Sequence, residues 1–278
     1  MAGPVLITGC STGIGRATAE RLARAGMTVY ATARRPDSIE DLKAAGCRTL
    51  GLDVNDEASM RAAVDEVEQA EGAVGALVNN AGYSQNGAVE TVALDDVRRQ
   101  FETNVFGLLR MSQLVLPGMR RAGHGRIVNV SSMGGKLTFP GGGVYHATKH
   151  AVEALSDAMR FEVRGFGIDV VVIEPGIIKT AFAETSVGSV PQDDGPYGEF
   201  NTAVAAVTAG AYSGPLGRLG GGPEAVAKTI ERALKANRPR SRYKVTASAR
   251  ILMAQRRLLP DRAWDAVVGT SFPQPGRK

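Results

Sequence analysis

Three polar residues in the middle of the chain have the types and the spacing of a proton-transfer site. Tyr145 and Lys149 are four residues apart, and Ser132 precedes the tyrosine by thirteen residues. Residues i and i+4 share one face of a helix, so Lys149 is expected to lie beside the phenol and to lower its pKa from about 10. Such a phenol can exchange a proton with a carbonyl or alcohol oxygen, and Ser132 can donate a hydrogen bond to the same oxygen.

This spacing is weak evidence when it is taken alone. A Tyr-x-x-x-Lys pair arises by chance in roughly one chain in six of this composition. An exposed helix with an ordinary tyrosine and a solvated lysine would give the same pattern. The rest of the sequence must therefore decide between the two interpretations.

The N-terminal region supplies that context. Residues 4–7 form an apolar run that predicts a buried first strand, and residues 16–25 have helical periodicity. Between them lies the pattern Gly-x-x-x-Gly-x-Gly, from Gly9 to Gly15. Strand, glycine loop and helix form a nucleotide phosphate site, because glycines let backbone N–H groups approach a pyrophosphate at a helix N-terminus. A glycine-rich turn without a ligand is the alternative, and the flanking strand and helix favour the phosphate site.

The end of the second predicted strand, residues 28–33, bears on the choice of dinucleotide. NAD-binding sites of this type place an acidic residue there to bind the ribose 2′-hydroxyl. Here Ala33 occupies the position, and Arg34 and Arg35 follow it. Two cations without a carboxylate suit a 2′-phosphate, so the sequence favours NADP(H). Two solvated loop arginines are the alternative, and Arg35 in particular can point to water.

Strand-like runs alternate with helical stretches along the whole chain. The runs are residues 5–7, 28–32, 50–54, 76–78, 127–130 and 168–173, with a seventh near 243–245. This alternation predicts an α/β fold, a single doubly wound (Rossmann) domain over residues 1–278 with a parallel sheet of about seven strands and helices on both faces. A hydrophobic content of 44% is sufficient for the core of such a domain.

Together these segments resemble the classical short-chain dehydrogenase/reductase family over roughly residues 4–180. The motifs that carry the resemblance follow the family's order: Thr8-Gly9-x-x-x-Gly13-x-Gly15, Asp53-Val54, Asn79-Asn80-Ala81-Gly82, Asn104, Ile127-Val128-Asn129-Val130-Ser131-Ser132, Tyr145-x-x-x-Lys149 and Pro175-Gly176-x-x-x-Thr180. The number of motifs in this order and spacing makes a chance match very improbable.

The resemblance implies roles for individual residues. Tyr145 would be the general acid/base, Lys149 would hold the nicotinamide ribose hydroxyls, and Ser132 would polarise the substrate oxygen. Asn104 would anchor a water that links Lys149 to solvent. If the family resemblance is set aside, a polar cap inside a long helix explains Asn104 equally well. The implied cofactor-binding set is Gly9, Ser11, Thr12, Gly13, Ile14, Gly15, Arg34, Arg35, Asp53, Val54, Asn80, Ala81, Gly82, Tyr145, Lys149, Pro175, Gly176, Ile178 and Thr180.

The implied activity is that of an NADP(H)-dependent oxidoreductase. The C-terminal region and the segments around residues 29–34 and 145–151 resemble the subset that includes retinol and 17β-hydroxysteroid dehydrogenases, whose substrates are apolar secondary alcohols, ketones or aldehydes. A non-catalytic NADP-binding sensor or scaffold is the alternative, and the intact Asn104, Ser132, Tyr145 and Lys149 favour the enzyme. The family also implies a homodimer or homotetramer.

The segment after the last family motif differs in composition from the rest of the chain. Residues 185–222 are rich in Gly, Ser, Thr and Pro, and we expect a substrate lid there, with a helix at 200–212. A disordered surface loop is the alternative. Residues 223–278 form a C-terminal extension, with helices predicted at 223–237 and 251–268, the latter interrupted near Pro260.

Composition and short patterns exclude several other functions. The net charge is +5, but the richest basic cluster, residues 238–242, lacks interleaved aromatics, so we read it as a solvated surface and expect no nucleic acid partner. Cys10 and Cys47 fit a reducing compartment. Without a predicted signal peptide or an apolar run near ~20 residues, the expected location is cytoplasmic, without membrane contact. His146 and His150 have a zinc-compatible spacing but no further partner, so we expect helix-surface histidines and no metal.

Overall fold

The computed structural model describes residues 3–192 and 194–276, without the side chains of residues 215 and 216. Seven strands form one parallel sheet in the order β3-β2-β1-β4-β5-β6-β7. Their bounds are β1 Val5–Ile7, β2 Val29–Ala33, β3 Arg48–Gly51, β4 Ala76–Asn79, β5 Gly125–Val130, β6 Ile168–Pro175 and β7 Arg242–Val245. The strand order reverses between β1 and β4, so a crevice opens there at the carboxyl ends of the strands.

Helices connect the strands and cover both faces of the sheet. They are α1 Gly13–Arg24, α2 Glu57–Glu71, α3 Leu94–Phe101, α4 Gly107–Ala122, α5 Gly143–Val163, α6 Phe182–Gly188, α7 Gly198–Ser213, α8 Pro215–Arg218, α9 Pro223–Lys235, α10 Ala247–Leu258 and α11 Asp261–Gly269. Short 3-10 segments lie at Pro36–Ala45, Met133–Gly135 and Arg164–Phe166, and a π turn, Glu102–Phe106, joins α3 to α4.

The alternation of side chains along each strand separates two apolar cores. Val5 and Ile7 of β1 face a core shared with α1 and α9, whereas Leu6 faces a core shared with α2, α4 and α5. Successive strand residues point to opposite faces of a sheet, so a fully buried strand needs apolar side chains on both. The predicted single doubly wound domain with a seven-stranded parallel sheet is therefore confirmed.

One predicted strand boundary is wrong. The apolar pattern predicts a third strand over residues 50–54, but the β3 ladder ends at Gly51. Leu52 still donates its N–H to the Ala33 carbonyl oxygen at 3.0 Å. The Asp53 carboxylate then accepts a hydrogen bond from the Asn55 N–H at 3.0 Å, which turns the chain. Leu52 and Val54 are buried like Leu50, but they lie beyond the ladder.

The region after residue 180 is largely helical. The predicted helix at 200–212 corresponds to α7, and Pro260 separates α10 from α11 as expected. Phe200 and Val204 of α7 pack with Phe272, and Trp264 of α11 donates its indole N–H to the Thr138 carbonyl oxygen at 3.1 Å. These contacts bring the C-terminal helices onto the loops at the carboxyl ends of the strands.

The interpretation of residues 238–242 as a solvated basic surface is wrong for Arg242. This residue lies in β7, and its guanidinium hydrogen-bonds Glu153 at 2.9 Å and Asp157 at 2.6 Å. β7 pairs with β6 at the sheet edge, beside the buried face of α5, so the guanidinium is paired with two carboxylates and only 26% of the side chain is exposed. In the part of the chain that the structure describes, no helix combines the length and apolarity required to traverse a lipid bilayer.

Candidate active site

A cavity of about 1050 Å³ lies at the carboxyl ends of the strands, around the reversal between β1 and β4. Its wall includes the loop after β1, the ends of β4 to β6, and α5, α6, α7 and α11. Ligand sites of doubly wound folds lie at this position. The volume is at the upper end of the usual range of about 300–1,000 Å³ for ligand cavities, so it can hold a ligand larger than a single small molecule.

The three glycines of the loop after β1 serve different purposes. Gly9 and Gly13 have positive φ angles of 73° and 59°, which favour glycine. A Cβ on Gly15 would overlap the Gly9 carbonyl oxygen and lie 2.5 Å from Asn80 Nδ2, so this position needs glycine for close packing of α1 against the sheet. The loop is therefore held tightly against β4.

Thr8 and Asn80 hold the loop to β4. The Thr8 Oγ1 accepts hydrogen bonds from the backbone N–H groups of Asn80 and Ala81, each at 3.0 Å. The Asn80 amide donates to the carbonyl oxygens of Thr8 and Gly9, also at 3.0 Å. Asn80 lines the cavity, but its side-chain amide is used to position the glycine loop.

The N-terminus of α1 has the properties of an anion site. Its first turn contains no acidic residue, and the Thr12 side chain at the N-cap accepts no hydrogen bond from it. The first N–H groups of a helix lack intrahelical partners, and the helix dipole favours negative charge at this end. With the glycine loop in front of it, this end of the cavity fits the pyrophosphate of a dinucleotide.

The two arginines after β2 are placed differently. Arg34 lines the cavity, is exposed, and has no ion pair with any residue in the described ranges. Arg35 is exposed and outside the cavity wall, and its carbonyl oxygen accepts a hydrogen bond from the Ser38 hydroxyl. A phosphate on the ribose near the end of β2 would therefore meet Arg34, not Arg35.

Ser132, Tyr145 and Lys149 converge at the centre of the cavity. The Ser132 hydroxyl accepts the Gly134 N–H at 3.0 Å and lies close enough to the Tyr145 phenol to oppose the rise of the phenol pKa. The Lys149 Nζ donates to the Val130 carbonyl oxygen at 2.9 Å and lies 5.8 Å from the centre of the Tyr145 ring. The end of β5 and the start of α5 therefore hold a hydroxyl, a phenol and an amine together.

Burial, rather than the lysine, dominates the acidity of the phenol. Burial raises the pKa of Tyr145 above its ordinary value, and the hydrogen bond from Ser132 only partly opposes this. Burial also lowers the pKa of Lys149 to about 8, against the opposing effect of Glu153. The expected lowering of the phenol pKa by Lys149 is thus not found, because Nζ is directed to the Val130 carbonyl. In this arrangement the phenol keeps its proton at neutral pH.

Asn104 is buried behind the cavity wall. It lies in the π turn, where its Oδ1 accepts the Tyr83 N–H at 3.0 Å and its Nδ2 donates to the Tyr83 carbonyl at 2.9 Å and to Thr148 Oγ1 at 3.1 Å. A Cβ on Gly82 would lie 3.0 Å from Asn104 Oδ1 and 3.9 Å from Lys149 Nζ. Both ends of the amide are thus bonded to protein atoms next to the lysine.

The structure brings most of the sequence-predicted site residues to one cavity. Those in its wall are Gly9, Ser11, Thr12, Gly13, Ile14, Arg34, Asp53, Val54, Asn80, Ala81, Gly82, Ser132, Tyr145, Lys149, Pro175, Gly176, Ile178 and Thr180. The wall does not include Gly15, Arg35 or Asn104. Gly15 and Asn104 lie behind it, and Arg35 lies on the surface.

A family model, described as short chain dehydrogenase, matches residues 4–189. The chain belongs to the short-chain dehydrogenase family. Among relatives, oxidoreductase YbbO of Escherichia coli K12 is 37% identical, covering 95% of this chain and 93% of YbbO. An NADPH-dependent 3-dehydrocapnine reductase of Ornithobacterium rhinotracheale is 33% identical over 94% of both chains. A 3-ketodihydrosphingosine reductase of Bacteroides thetaiotaomicron is 40% identical over 65% of each chain.

Solved structures of short-chain dehydrogenases share the whole architecture. One from Streptomyces avermitilis is 34% identical, with a TM-score of 0.81 over 97% of this chain and 95% of that chain. A serine dehydrogenase complexed with NADP+ has a TM-score of 0.76 at 27% identity, over 87% and 94% of the chains. A Burkholderia phymatum enzyme in complex with NAD has a TM-score of 0.78 at 26% identity, over 100% and 98%. Similar structures thus bind either dinucleotide.

The apolar part of the cavity wall was not predicted residue by residue. Apolar side chains from α6, α7, α10, α11 and the C-terminal segment form it: Phe182, Val204, Val207, Tyr212, Leu252, Trp264, Val267, Val268 and Phe272. The signal available in the sequence was the helical spacing of apolar residues in 200–212 and 251–268. That periodicity predicts a buried face but not the surface that it covers.

The expectation of helix-surface histidines is wrong for His146. This residue is 8% exposed, and its Nδ1 lies 3.1 Å from the Gly134 carbonyl oxygen. Burial lowers the pKa of His146 to about 4. The loop before α5 folds back over the first turn of that helix and covers the imidazole, whereas His150, one turn later, is exposed. No cluster of three or more metal-ligating side chains is found in residues 3–192 and 194–276.

Proposed function

We propose that this short-chain dehydrogenase transfers a hydride between NADP(H) and an apolar ketone, aldehyde or secondary alcohol, with Tyr145 as the general acid/base. The observation that carries the proposal is the convergence of Ser132, Tyr145 and Lys149 in the cavity that also contains the glycine loop. A pure NADP-binding sensor or scaffold would not need a phenol and a hydroxyl directed to one point beside the dinucleotide site.

The protein's contribution is proton transfer and positioning. Tyr145, whose pKa burial raises, holds a proton that it can donate to a carbonyl oxygen during reduction. Ser132, which lines the same cavity beside the phenol, stabilises the charge that develops on the same oxygen. Lys149, anchored on the Val130 carbonyl, is proposed to hold the ribose hydroxyls, and Asn104 to support the lysine from behind. The nicotinamide supplies the hydride when it is bound.

The preference for NADP(H) is proposed from the end of β2. Arg34 faces the cavity without an ion pair to any described residue, and a guanidinium suits a phosphate geometrically. The residues in the cavity wall from the glycine loop, from Asp53-Val54, from Asn80 to Gly82 and from Pro175 to Thr180 would bind the rest of the dinucleotide. The NADPH-dependent relative agrees with this choice, and the NAD-bound neighbour shows that the fold alone does not decide it.

An apolar substrate is proposed from the wall formed by the C-terminal helices. Phe182 packs on Tyr145 with ring centres 5.7 Å apart, and Trp264 and Phe272 close the far side. The names of two relatives specify 3-keto and 3-dehydro substrates, which fits a ketone. We propose residues 185–222 as the substrate lid and 223–278 as the C-terminal extension that completes the wall.

A homodimer or homotetramer is proposed from the family, and one exposed aromatic residue is a candidate contact. Phe161, on the long helix α5, is 86% exposed. Only a contiguous apolar patch marks a surface that pairs with another chain, so Phe161 is a position to test for a contact and not evidence for one. Light scattering of the purified protein that gives the mass of one chain would contradict this assignment.

The function is tested with a panel of apolar ketones and aldehydes and the absorbance of NADPH. The native protein should reduce members of the panel, and Tyr145→Phe should abolish turnover while NADPH still binds, as measured by nucleotide fluorescence. Tyr243→Phe is the matched control, since Tyr243 lies outside the cavity. Turnover retained by Tyr145→Phe would contradict the proposed role, and NADPH binding without turnover of any substrate would favour the sensor or scaffold.

A further inference from the structure

The cavity contains an imidazole that the proposed reaction does not use. His146 follows Tyr145 directly, and the two ring centres are 5.6 Å apart. The imidazole lies between two glycines. A Cβ on Gly134 would overlap Nδ1, and a Cβ on Gly142 would lie 2.6 Å from Nε2. Only glycine at both positions leaves room for the ring, so its orientation in the cavity wall is restricted.

The tautomer of this imidazole follows from its hydrogen bond. Nδ1 lies 3.1 Å from the Gly134 carbonyl oxygen, and a carbonyl can only accept. Nδ1 therefore carries the hydrogen. Because burial lowers the pKa of His146 to about 4, the ring is neutral at neutral pH. Nε2 is then left with a lone pair, as a hydrogen-bond acceptor.

This lone pair has no donor among the residues that the structure describes, and His146 lines the cavity. In the described ranges, Nε2 has no hydrogen-bond partner. It is also not among the fully buried polar atoms, so solvent or a ligand can contact it. Other polar residues of the cavity wall are already paired: Ser84 donates to the Asn86 side chain at 2.9 Å, and Asn86 donates to the Ser186 carbonyl at 3.0 Å. His146 is thus a buried acceptor beside the phenol with nothing yet donating to it.

We propose that His146 Nε2 accepts a hydrogen bond from a hydroxyl or ammonium group on the carbon next to the reacting carbonyl, so that the enzyme selects α-hydroxy or α-amino ketones over plain ketones. The inference rests on the proposed function, in which Tyr145 meets the carbonyl oxygen. The two ring centres are 5.6 Å apart and both residues line the cavity, so a substrate whose carbonyl meets the phenol would lie beside the imidazole. The apolar wall contacts the rest of the molecule.

The test compares substrates that differ only at this carbon. We would measure kcat/KM with NADPH for acetophenone and for 2-hydroxyacetophenone, 2-aminoacetophenone and 2-methoxyacetophenone, numbered so that the substituent is on the methyl carbon next to the carbonyl. The methoxy compound has an oxygen but no donor. His146→Phe should lower kcat/KM for the hydroxy or amino ketone by about tenfold or more, because a buried donor then lacks its acceptor. Acetophenone and 2-methoxyacetophenone should change by less than about threefold. Comparing the hydroxy compound with the amino compound shows whether His146 favours a hydroxyl donor or an ammonium donor.

Two variants and a binding measurement control the test. His146→Gln keeps an acceptor and should recover part of the selectivity, and His150→Phe, at the exposed histidine one turn later, should leave it unchanged. In a Tyr145→Phe background, which binds without turnover, His146→Phe should weaken binding of 2-hydroxyacetophenone to the NADPH complex by a similar factor.

The possible failures are distinguishable. If ketones turn over but His146→Phe changes all four substrates equally, or the native enzyme shows no preference for a donor, the inference is wrong. If no ketone turns over but the binding selectivity depends on His146, the proposed reaction is wrong and the donor subsite stands. If no ketone turns over and the binding selectivity does not depend on His146, the proposed reaction and the donor subsite are both wrong.

Discussion

Replacing Arg34 by Asp is the most direct test of cofactor choice, because the structure separates Arg34 from its neighbour. Arg34 lines the cavity at the end of β2, and Arg35, one residue later, does not. Arg34→Asp removes a donor for a 2′-phosphate and supplies a carboxylate that can bind a 2′-hydroxyl. Arg35→Asp changes the net charge equally at the adjacent position and is the matched control.

The magnitude follows from the exposure of Arg34. Hydrogen bonds to charged groups contribute about 1.5–3 kcal/mol. Arg34 is exposed, and water and salt weaken such an interaction, so we expect about 1.5 kcal/mol for the loss of the guanidinium, or about tenfold in Kd. Repulsion between the new carboxylate and the phosphate adds to this, so NADPH binding should weaken by about thirtyfold while NADH binding improves.

The assay is a fluorescence titration of each variant with NADPH and with NADH at one fixed ionic strength. Arg34→Asp should invert the preference, and Arg35→Asp should change either Kd by less than about threefold, the long-range effect of an exposed charge. A larger loss in Arg35→Asp than in Arg34→Asp would refute the assignment. An unchanged NADPH Kd in both would show that another group binds the phosphate.

Three further predictions concern stability. Gly15→Ala places a methyl group against the glycine loop and should lower the free energy of unfolding in urea by about 1–3 kcal/mol. Gly165→Ala, where no atom lies near the new methyl group, should change it by less than about 0.5 kcal/mol. Equal effects of the two variants would contradict the close packing of Gly15 on Gly9. Arg126 is 2% exposed and donates to three carbonyls at the end of α9. Arg126→Met should therefore lower the free energy of unfolding by about 3 kcal/mol or more, whereas Arg24→Met, at an exposed arginine, should lower it by under about 0.5 kcal/mol. Similar melting temperatures for the two variants would contradict a stabilising role of Arg126. The pKa of His146 is about 4 in the folded state against about 6.5 unfolded, so the unfolded state binds more protons in between and stability should fall by roughly 3 kcal/mol as pH drops from 6.5 to 4; His146→Phe should flatten that dependence in thermal melts.

The sheet was predictable because its signals are local. Each strand is a short apolar run, and parallel strands separated by helices can form only a few topologies. The error at β3 has the same origin. Apolar periodicity reports burial, not hydrogen-bond partners, and Leu52 and Val54 are buried although the ladder stops at Gly51. The glycine loop was also predictable, since its three glycines lie within seven residues of each other.

The details of the cavity wall were not predictable, because they depend on contacts between distant segments. His146 is a buried acceptor only because Gly134 and Gly142 leave space for its ring. The sequence assigns both Arg34 and Arg35 to the cofactor and indicates only that Arg35 can point to water, whereas the folded chain places Arg34 in the cavity wall and Arg35 outside it. The apolar faces of α7 and α11 were visible as patterns, but the shared surface that they cover belongs to the folded chain.

The charge state of Lys149 depends most strongly on such distant contacts. Burial lowers the pKa of Lys149 to about 8, and the opposing influence comes from Glu153, one turn later in α5. Glu153 is itself buried and is held by Arg242 and Lys136, each at 2.9 Å. A buried carboxylate needs such cations, and a buried ammonium needs such a carboxylate. Arg242, 89 positions beyond Glu153, therefore belongs to the electrostatic support of the proposed active site, although its sequence context resembles a solvated basic surface.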